Sequence, residues 1–200
     1  MTVELLEYTP NPETNIANAA RICYDSKPKD LDGERKFIKA LIKAGHTAII
    51  EHSSCTFRFS GVSRCLTHQL VRHRLFSFCQ RSQRYVKEDD FEYVVPESIK
   101  NDETAKKDYA DLMSRINSLY EDFLKRGIKA EDARYILPNA CASQIVVSGN
   151  FREWRNFLDL RLEQHAQKEI RDLANLVLDE LMKIAPSVFE DLREKYRGNC

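Results

Sequence analysis

The 200-residue chain has no carboxylate between Glu51 and Glu88, although Asp and Glu account for 31 of its residues. Seven bases stand in that gap: Arg58, Arg64, Arg72, Arg74, Arg81, Arg84 and Lys87. A solvated helix face usually interleaves acids with bases, because an opposite pair at i,i+4 stabilises it by about 0.2–0.5 kcal/mol. Here the bases have no local acids, and six of the seven are arginines, whose planar fork grips a carboxylate or phosphate through two parallel hydrogen bonds. The gap reads as an anion site, with phosphate the expected anion.

Other absences narrow the ligand. The six glycines are dispersed, which excludes a GxGxxG turn or a P-loop, so a nucleotide or flavin would be held without a Rossmann turn. No run of 18 apolar residues exists, so no spanning helix and no membrane partner are expected. The opening MTVELLEYTP lacks a basic stretch and a long apolar core, so no signal peptide is expected either. Six cysteines occur without a CxxC, which suits reduced thiols in a cytoplasmic protein. A zinc site from Cys65, His68 and His73 fits poorly. On a helix the two histidines would point about 140° apart, and no second Cys/His pair at zinc spacing follows, so no metal is expected. The formal net charge is zero, so the seven positive charges of the gap are balanced elsewhere. A general nucleic-acid binder is basic overall, which favours a small polyanion and makes nucleic acid an unexpected partner.

With 42% hydrophobic residues, the chain suits one domain over 1–200. Thr2–Tyr8 alternates as a strand, and Pro12 opens a helix to Tyr24. A polar loop over Ser26–Gly33 precedes a second helix from Glu34 to Ala44. His46–Ser54 is a connection, and Cys55, Phe57 and Phe59 alternate with polar residues as a half-buried strand. Ser63–Arg74 has helical spacing, which would place Arg72, His73 and Arg74 in a last turn facing the negative end of the helix dipole. That explains one or two bases, but not Arg81 and Arg84 on the far side of LFSFCQ, the start of the expected loop LFSFCQRS. A short strand over Phe91–Val95 precedes Pro96. A long amphipathic helix then begins at Asp102 or Thr104, and a shorter one spans Lys129–Leu137. Gln144–Ser148 is a buried strand. Asn150 reads as the N-cap of one helix of about 34 residues, with Glu153 in the capping-box position and Pro186 closing it. Short strands mixed irregularly with long helices predict an α+β fold with a mixed or antiparallel sheet. Arg161, inside the long helix, has no acid at i±3 or i±4, so it either snorkels outward or faces a ligand. Arg134 is expected to pair with Glu131.

The segment RHRLFSFCQRSQRY, Arg72–Tyr85, resembles the signature of the flavin-dependent thymidylate synthases: Arg-His-Arg, a Ser three residues on, then Ser-x-Arg-Tyr. Two further blocks agree in order: Ala133-Arg134 with Leu137-Pro138, and Gly149-Asn150-x-Arg152 with Asn156, Leu160-Arg161 and His165-Ala166. Glu51-His52 lies upstream. The resemblance covers most of the chain and implies a homotetramer with active sites at subunit interfaces. It also implies non-covalent FAD and methylation of dUMP to dTMP, with methylenetetrahydrofolate as carbon donor and NADPH as reductant. Carried across, Arg72, His73, Arg74, Gln80, Asn150, Phe151, Arg152 and Asn156 would contact FAD, with Ser54 reaching a neighbouring subunit's flavin. Gln69, Leu70, Val71, Arg72, Gln80, Arg81, Ser82, Gln83, Arg84 and Arg134 would line dUMP, and Arg161 would activate the uracil ring. Cys79 and Arg81 depart from the family pattern, which often has Asn or Ser at the first and an apolar residue at the second. Ser82 is assigned to phosphate rather than to nucleophilic attack.

Two other readings of the same residues predict different behaviour. In a single-strand-binding module, Phe76, Phe78 and Tyr85 would stack bases while the arginines hold the backbone. In a cysteine-nucleophile methyltransferase, Cys79 or Cys141 would attack as thiolate.

Overall fold

A computed structural model describes residues 1–27 and 30–198. Pro28 and Lys29, inside the loop expected over Ser26–Gly33, lie outside the described residues, as do Asn199 and the last cysteine, Cys200. The fold is α+β, 57% helical with a four-stranded antiparallel sheet. In chain order the elements are β1 (Thr2–Tyr8), α1 (Pro12–Tyr24), α2 (Leu31–Lys43), a 3-10 turn (Thr47–His52), β2 (Ser54–Ser63), α3 (Arg64–Leu70) and β3 (Ser77–Gln80). There follow α4 (Glu97–Lys100), α5 (Glu103–Lys125), α6 (Ala130–Ala133) with a 3-10 turn (Arg134–Ile136), β4 (Ala142–Asn150), α7 (Phe151–Arg161), α8 (Lys168–Ile184) and α9 (Pro186–Arg197).

The sheet runs β1-β2-β4-β3. Both central strands alternate in burial: β2 as its sequence predicts, and β4, expected as a buried strand over Gln144–Ser148, with only one face buried. Cys55, Phe57 and Phe59 are buried on β2, as are Ser143, Ile145 and Val147 on β4. The residues group into two compact units: Met1–Thr2, Phe59–Gln69 and Cys79–Ile145 form one, and Val3–Arg58, Leu70–Phe78 and Val146–Cys200 form the other. In the first, Phe91, Met113 and Cys141 form a small core against Tyr93, Tyr109, Ile116, Leu137 and Ala140. In the second, α7, α8 and α9 pack on one another, and α2 packs on both α1 and α9.

Caps set where several helices begin. Asp30 accepts from the Gly33 amide at 3.0 Å, so α2 starts three residues before the expected Glu34. Asp102 accepts from Thr104 and Ala105 amides, fixing the start of α5. The single helix expected from Asn150 to Pro186 is two, α7 and α8, separated over 162–167. The apolar stripe continues through the break, which is why its periodicity hides it. Side-chain donors take up the carbonyls there: Tyr196 Oη lies 2.8 Å from Asp159 O, and Arg171 Nη1 donates to Gln164 O. Pro186 does close α8, but it also opens α9, where its missing N–H costs nothing at the first position. Glu13, buried, accepts from the Ser187 amide at 2.8 Å and pairs with Arg35 at 2.7 Å, anchoring that helix start. The strand expected over Phe91–Val95 is a single antiparallel bridge, Tyr93 to Cys141. The helix expected over Lys129–Leu137 is the short α6 and its 3-10 turn. The connection expected over His46–Ser54 holds the 3-10 turn Thr47–His52.

Gly149 on β4 is required by a close approach. A methyl group there would sit 2.3 Å from Phe76 Cδ1, and Phe76 is itself buried against Trp154 with ring centroids 4.3 Å apart. Gly149→Ala is therefore expected to displace the Phe76 ring and destabilise the fold by about 1–3 kcal/mol. Urea denaturation would read this as a lower midpoint at unchanged slope, and an unchanged midpoint would refute the close contact.

Candidate functional site

After α3 the chain makes two tight turns, His73 N donating to Leu70 O and Phe76 N to His73 O, each at 3.1 Å. The helix expected to reach Arg74 ends at Leu70, so the Arg-His-Arg triplet lies beyond it and the helix-dipole account does not apply. The turns send His73 and Phe76 inward, each 5% exposed, and leave Arg72, Arg74 and Leu75 outside. His73 packs against Phe76 at 6.0 Å and edge-on to Phe157 at 5.2 Å. The aromatic residues of the motif and of α7 thus fix one imidazole in the interior.

That imidazole is tied to Arg161. Arg161 Nε donates to His73 Nε2 at 3.1 Å, and His73 Nδ1 lies 3.8 Å from Glu153 Oε1. A guanidinium can only donate, so Nε2 must hold a lone pair and the imidazole is neutral, with its proton on Nδ1. Burial, and then the Arg161 charge, lowers the His73 pKa to about 4. Burial also lowers the pKa of Arg161, which stays charged, and raises that of Glu153 against a hydrogen bond from Asn156. Of the two readings that the sequence allows for Arg161, outward snorkelling is excluded: the side chain is half-buried at the end of α7 and turned onto the motif.

The remaining residues of this unit are dispersed in role. Among the described residues, neither Arg72 nor Arg74 makes a side-chain hydrogen bond or ion pair. Asn150 caps α7 through the Glu153 amide at 2.9 Å. Arg152, exposed, pairs with Glu51. Phe151 is buried against Phe189, and its amide donates to Ser53 O at 2.8 Å. Leu70 is buried and Val71 is 41% exposed. Ser54 is exposed, and its amide donates to Thr9 Oγ1 at 3.0 Å.

In the other unit, the stretch expected as a loop contains β3, whose burial alternates like that of β2. Gln69 Nε2 donates to Cys65 O at 3.4 Å, within α3. Gln80 donates to Thr67 Oγ1 at 3.1 Å and Ser143 Oγ at 3.3 Å. Several bases of the acid-free gap do have partners, brought from outside it: Arg81 lies 3.5 Å from Glu88, Arg84 3.2 Å from Glu131, and, in the second unit, Arg58 3.1 Å from Glu4. Burial raises the Glu88 pKa while Arg81 and Arg64 hold it down. The ion pair expected between Arg134 and Glu131 is not formed. Arg134 Nε donates to the Glu131 backbone carbonyl at 3.1 Å, while the carboxylate goes to Arg84. Ser82 Oγ accepts from the Arg84 amide at 3.2 Å. Gln83 is buried and its Nε2 has no partner. A cavity of about 300 Å³ in this unit borders Arg81 and Ser143, but four carboxylates, Glu88, Asp89, Asp90 and Glu92, also line it, which suits a phosphate poorly.

The family model described as "Thymidylate synthase complementing protein" matches residues 4–187. The chain is 43% identical to the flavin-dependent thymidylate synthase of Clostridium tetani over 222 residues, covering 99% of this chain and 89% of that protein. It is 40% identical to the enzyme of that name from Geobacter sulfurreducens, covering 96% and 86%. Against that from Pyrococcus abyssi it is 42% identical, covering 90% and 79%. The chain belongs to the flavin-dependent thymidylate synthase family.

For a member of this family, the buried thiols are poor nucleophiles. Burial pushes Cys141 up to about 12 and raises Cys55 as well, so both stay protonated near neutrality. Phe76, one of the three rings a base-stacking surface would need, is enclosed by Trp154, Phe157 and His73. No helix among the described residues is long and apolar enough to cross a membrane. Glu153 is the residue the sequence undervalues. Its capping-box spacing explains its amide, and nothing in that pattern reveals that its carboxylate faces His73.

His73 gives the fold a specific acid sensitivity. Its folded pKa of about 4 lies below its ordinary value of 6.5, so the unfolded chain takes up a proton through that interval that the folded chain refuses. Stability from this group is full above pH 6.5 and is lost as pH falls toward 4, by up to about 3 kcal/mol. Glu153, raised by burial, acts with the opposite sign, so the comparison needs a variant. Between pH 6.5 and 4 the wild type is expected to lose more stability than His73→Gln; parallel denaturation curves would reject the assignment.

Proposed function

We propose that this chain makes dTMP by reductive methylation of dUMP, taking its carbon from 5,10-methylenetetrahydrofolate, as a cytoplasmic homotetramer with active sites at subunit interfaces. The observation that carries the reading, with membership of the family, is the buried neutral His73 holding Arg161 by its Nε, flanked in sequence by two exposed arginines. The whole chain, 1–200, acts as one synthase-like domain.

The residues fit a non-covalent flavin nucleotide. FAD carries a diphosphate, and Arg72 and Arg74 are exposed cations without a protein partner among the described residues, so they meet such an anion without breaking an existing pair. Gln80, Asn150, Phe151, Arg152 and Asn156 complete the proposed contacts, and Ser54 serves a neighbouring subunit's flavin. When bound, FAD would relay reducing equivalents from NADPH, chemistry no side chain here could supply.

For dUMP, Arg84 and Ser82 are the phosphate ligands. An exposed Arg84–Glu131 pair contributes only about 0–1 kcal/mol, so exchanging the carboxylate for a phosphate costs little. The buried Gln83 amide, left without an acceptor, would recover about 1–3 kcal/mol from a carbonyl or phosphate oxygen. Gln69, Leu70, Val71, Arg72, Gln80, Arg81 and Arg134 line the rest. Arg161 acts at the pyrimidine. Its fixed positive charge beside N3 and O2 favours the ionised ring, which makes C5 nucleophilic without attack by a cysteine.

Visible absorption of the purified chain with added FAD tests the reading first. A flavin band that survives removal of unbound FAD and shifts on adding dUMP is expected, and absence of any retained flavin would sink the proposal. Arg161→Ala should keep the flavin band and lose turnover. Cys79→Ser should turn over at close to the wild-type rate, whereas an inactive, flavin-loaded Cys79→Ser would restore the thiolate reading.

A further inference from the structure

Glu153 is 4% exposed, and its carboxylate is not the reciprocal partner in a helix cap. The capping geometry is one-sided: Asn150 Oδ1 takes the Glu153 amide at 2.9 Å. The Glu153 carboxylate turns away, its Oε1 3.8 Å from His73 Nδ1, and accepts from Asn156. We propose that Glu153 is a positioning residue that, by holding the His73 proton on Nδ1, keeps Nε2 free to aim the Arg161 guanidinium.

A neutral imidazole has two tautomers of similar intrinsic energy, and only one is compatible with this site. With the proton on Nε2, two N–H groups would confront each other across 3.1 Å and the Arg161 bond would be lost. A carboxylate facing Nδ1 selects the other tautomer, because an ionised carboxylate only accepts. At 3.8 Å it does so through the attraction of its charge for the N–H dipole, which burial strengthens. Phe76 and Phe157 pack against the ring, so the imidazole cannot turn freely to a different partner. Among the described residues, the charged groups facing His73 are Arg161 and Glu153, both on α7. Burial raises the Glu153 pKa, and the hydrogen bond from Asn156 opposes that rise by favouring the ionised carboxylate. One helix therefore carries both the group to be aimed and the group that sets the aim, with a motif histidine between them. The consequence for turnover rests on the role proposed above for Arg161.

The test uses the full chain with nitrogen-15 labelling. In the wild type at neutral pH, the His73 ring should show a protonated Nδ1 and a bare Nε2; a proton found on Nε2 would overturn the inference without any variant. The Arg161 Nε–H signal, identified by its loss in Arg161→Lys, should exchange slowly with water. Glu153→Met removes the acceptor at similar volume and is expected to speed that exchange about tenfold or more. It should also lower kcat about tenfold, with the dUMP KM within about twofold. Glu153→Gln, which keeps a carbonyl, should restore slow exchange. Unchanged exchange in folded Glu153→Met would defeat the proposal, and if that variant does not fold, the wild-type tautomer decides. Should Arg161→Ala keep turnover while exchange responds as expected, the positioning stands and the assigned role of Arg161 fails.

Discussion

The hydrogen bond from Arg161 Nε to His73 Nε2 is the constraint on which the rest of the site depends. It needs a permanently charged donor at the end of a rigid helix and a neutral acceptor in the interior. The second requirement is the harder one, because a histidine beside a cation in water would be only partly deprotonated near neutrality. Burial meets it. The rings of Phe76, Phe157 and Trp154 exclude water from the imidazole, and the loss of hydration penalises the imidazolium more than the imidazole. Those rings in turn need β4 to approach Phe76 as closely as a glycine allows.

Much of this was legible in the sequence. The period-two pattern of β2 and the helical stripe of α5 identified their elements, since each exposes one face. The order of three motif blocks indicated the family. What escaped was whatever the chain does without changing its pattern. The break between α7 and α8 keeps the apolar stripe in phase, so periodicity passes across it. The partners of Arg58 and Arg84 come from Glu4 and Glu131, far along the chain, and no local count of acids could find them. The direction of the Glu153 carboxylate depends on where a separate turn places a histidine.

The sequence also misjudged the triplet Arg72-His73-Arg74 as helical. Helical geometry would have put its three side chains about 100° apart around one axis. Two consecutive tight turns instead separate them into one buried ring and two solvent-facing cations. A single short motif thereby supplies both an apolar-packed acceptor and free positive charge, which a regular helix would have had to provide from different turns.

The Arg84–Glu131 pair gives the loop proposed to hold the substrate phosphate an internal counterion. An empty cationic loop would draw any anion in the surrounding solution, from chloride to free carboxylic acids. With a carboxylate already seated, a singly charged visitor merely replaces like with like and gains nothing over the resident group. A dianion such as a phosphate monoester brings a second charge and a third oxygen, and so it alone alters the balance. In the proposed phosphate role, the weakness of that resting contact would make the loop selective, rejecting weak competitors while yielding readily to a stronger one.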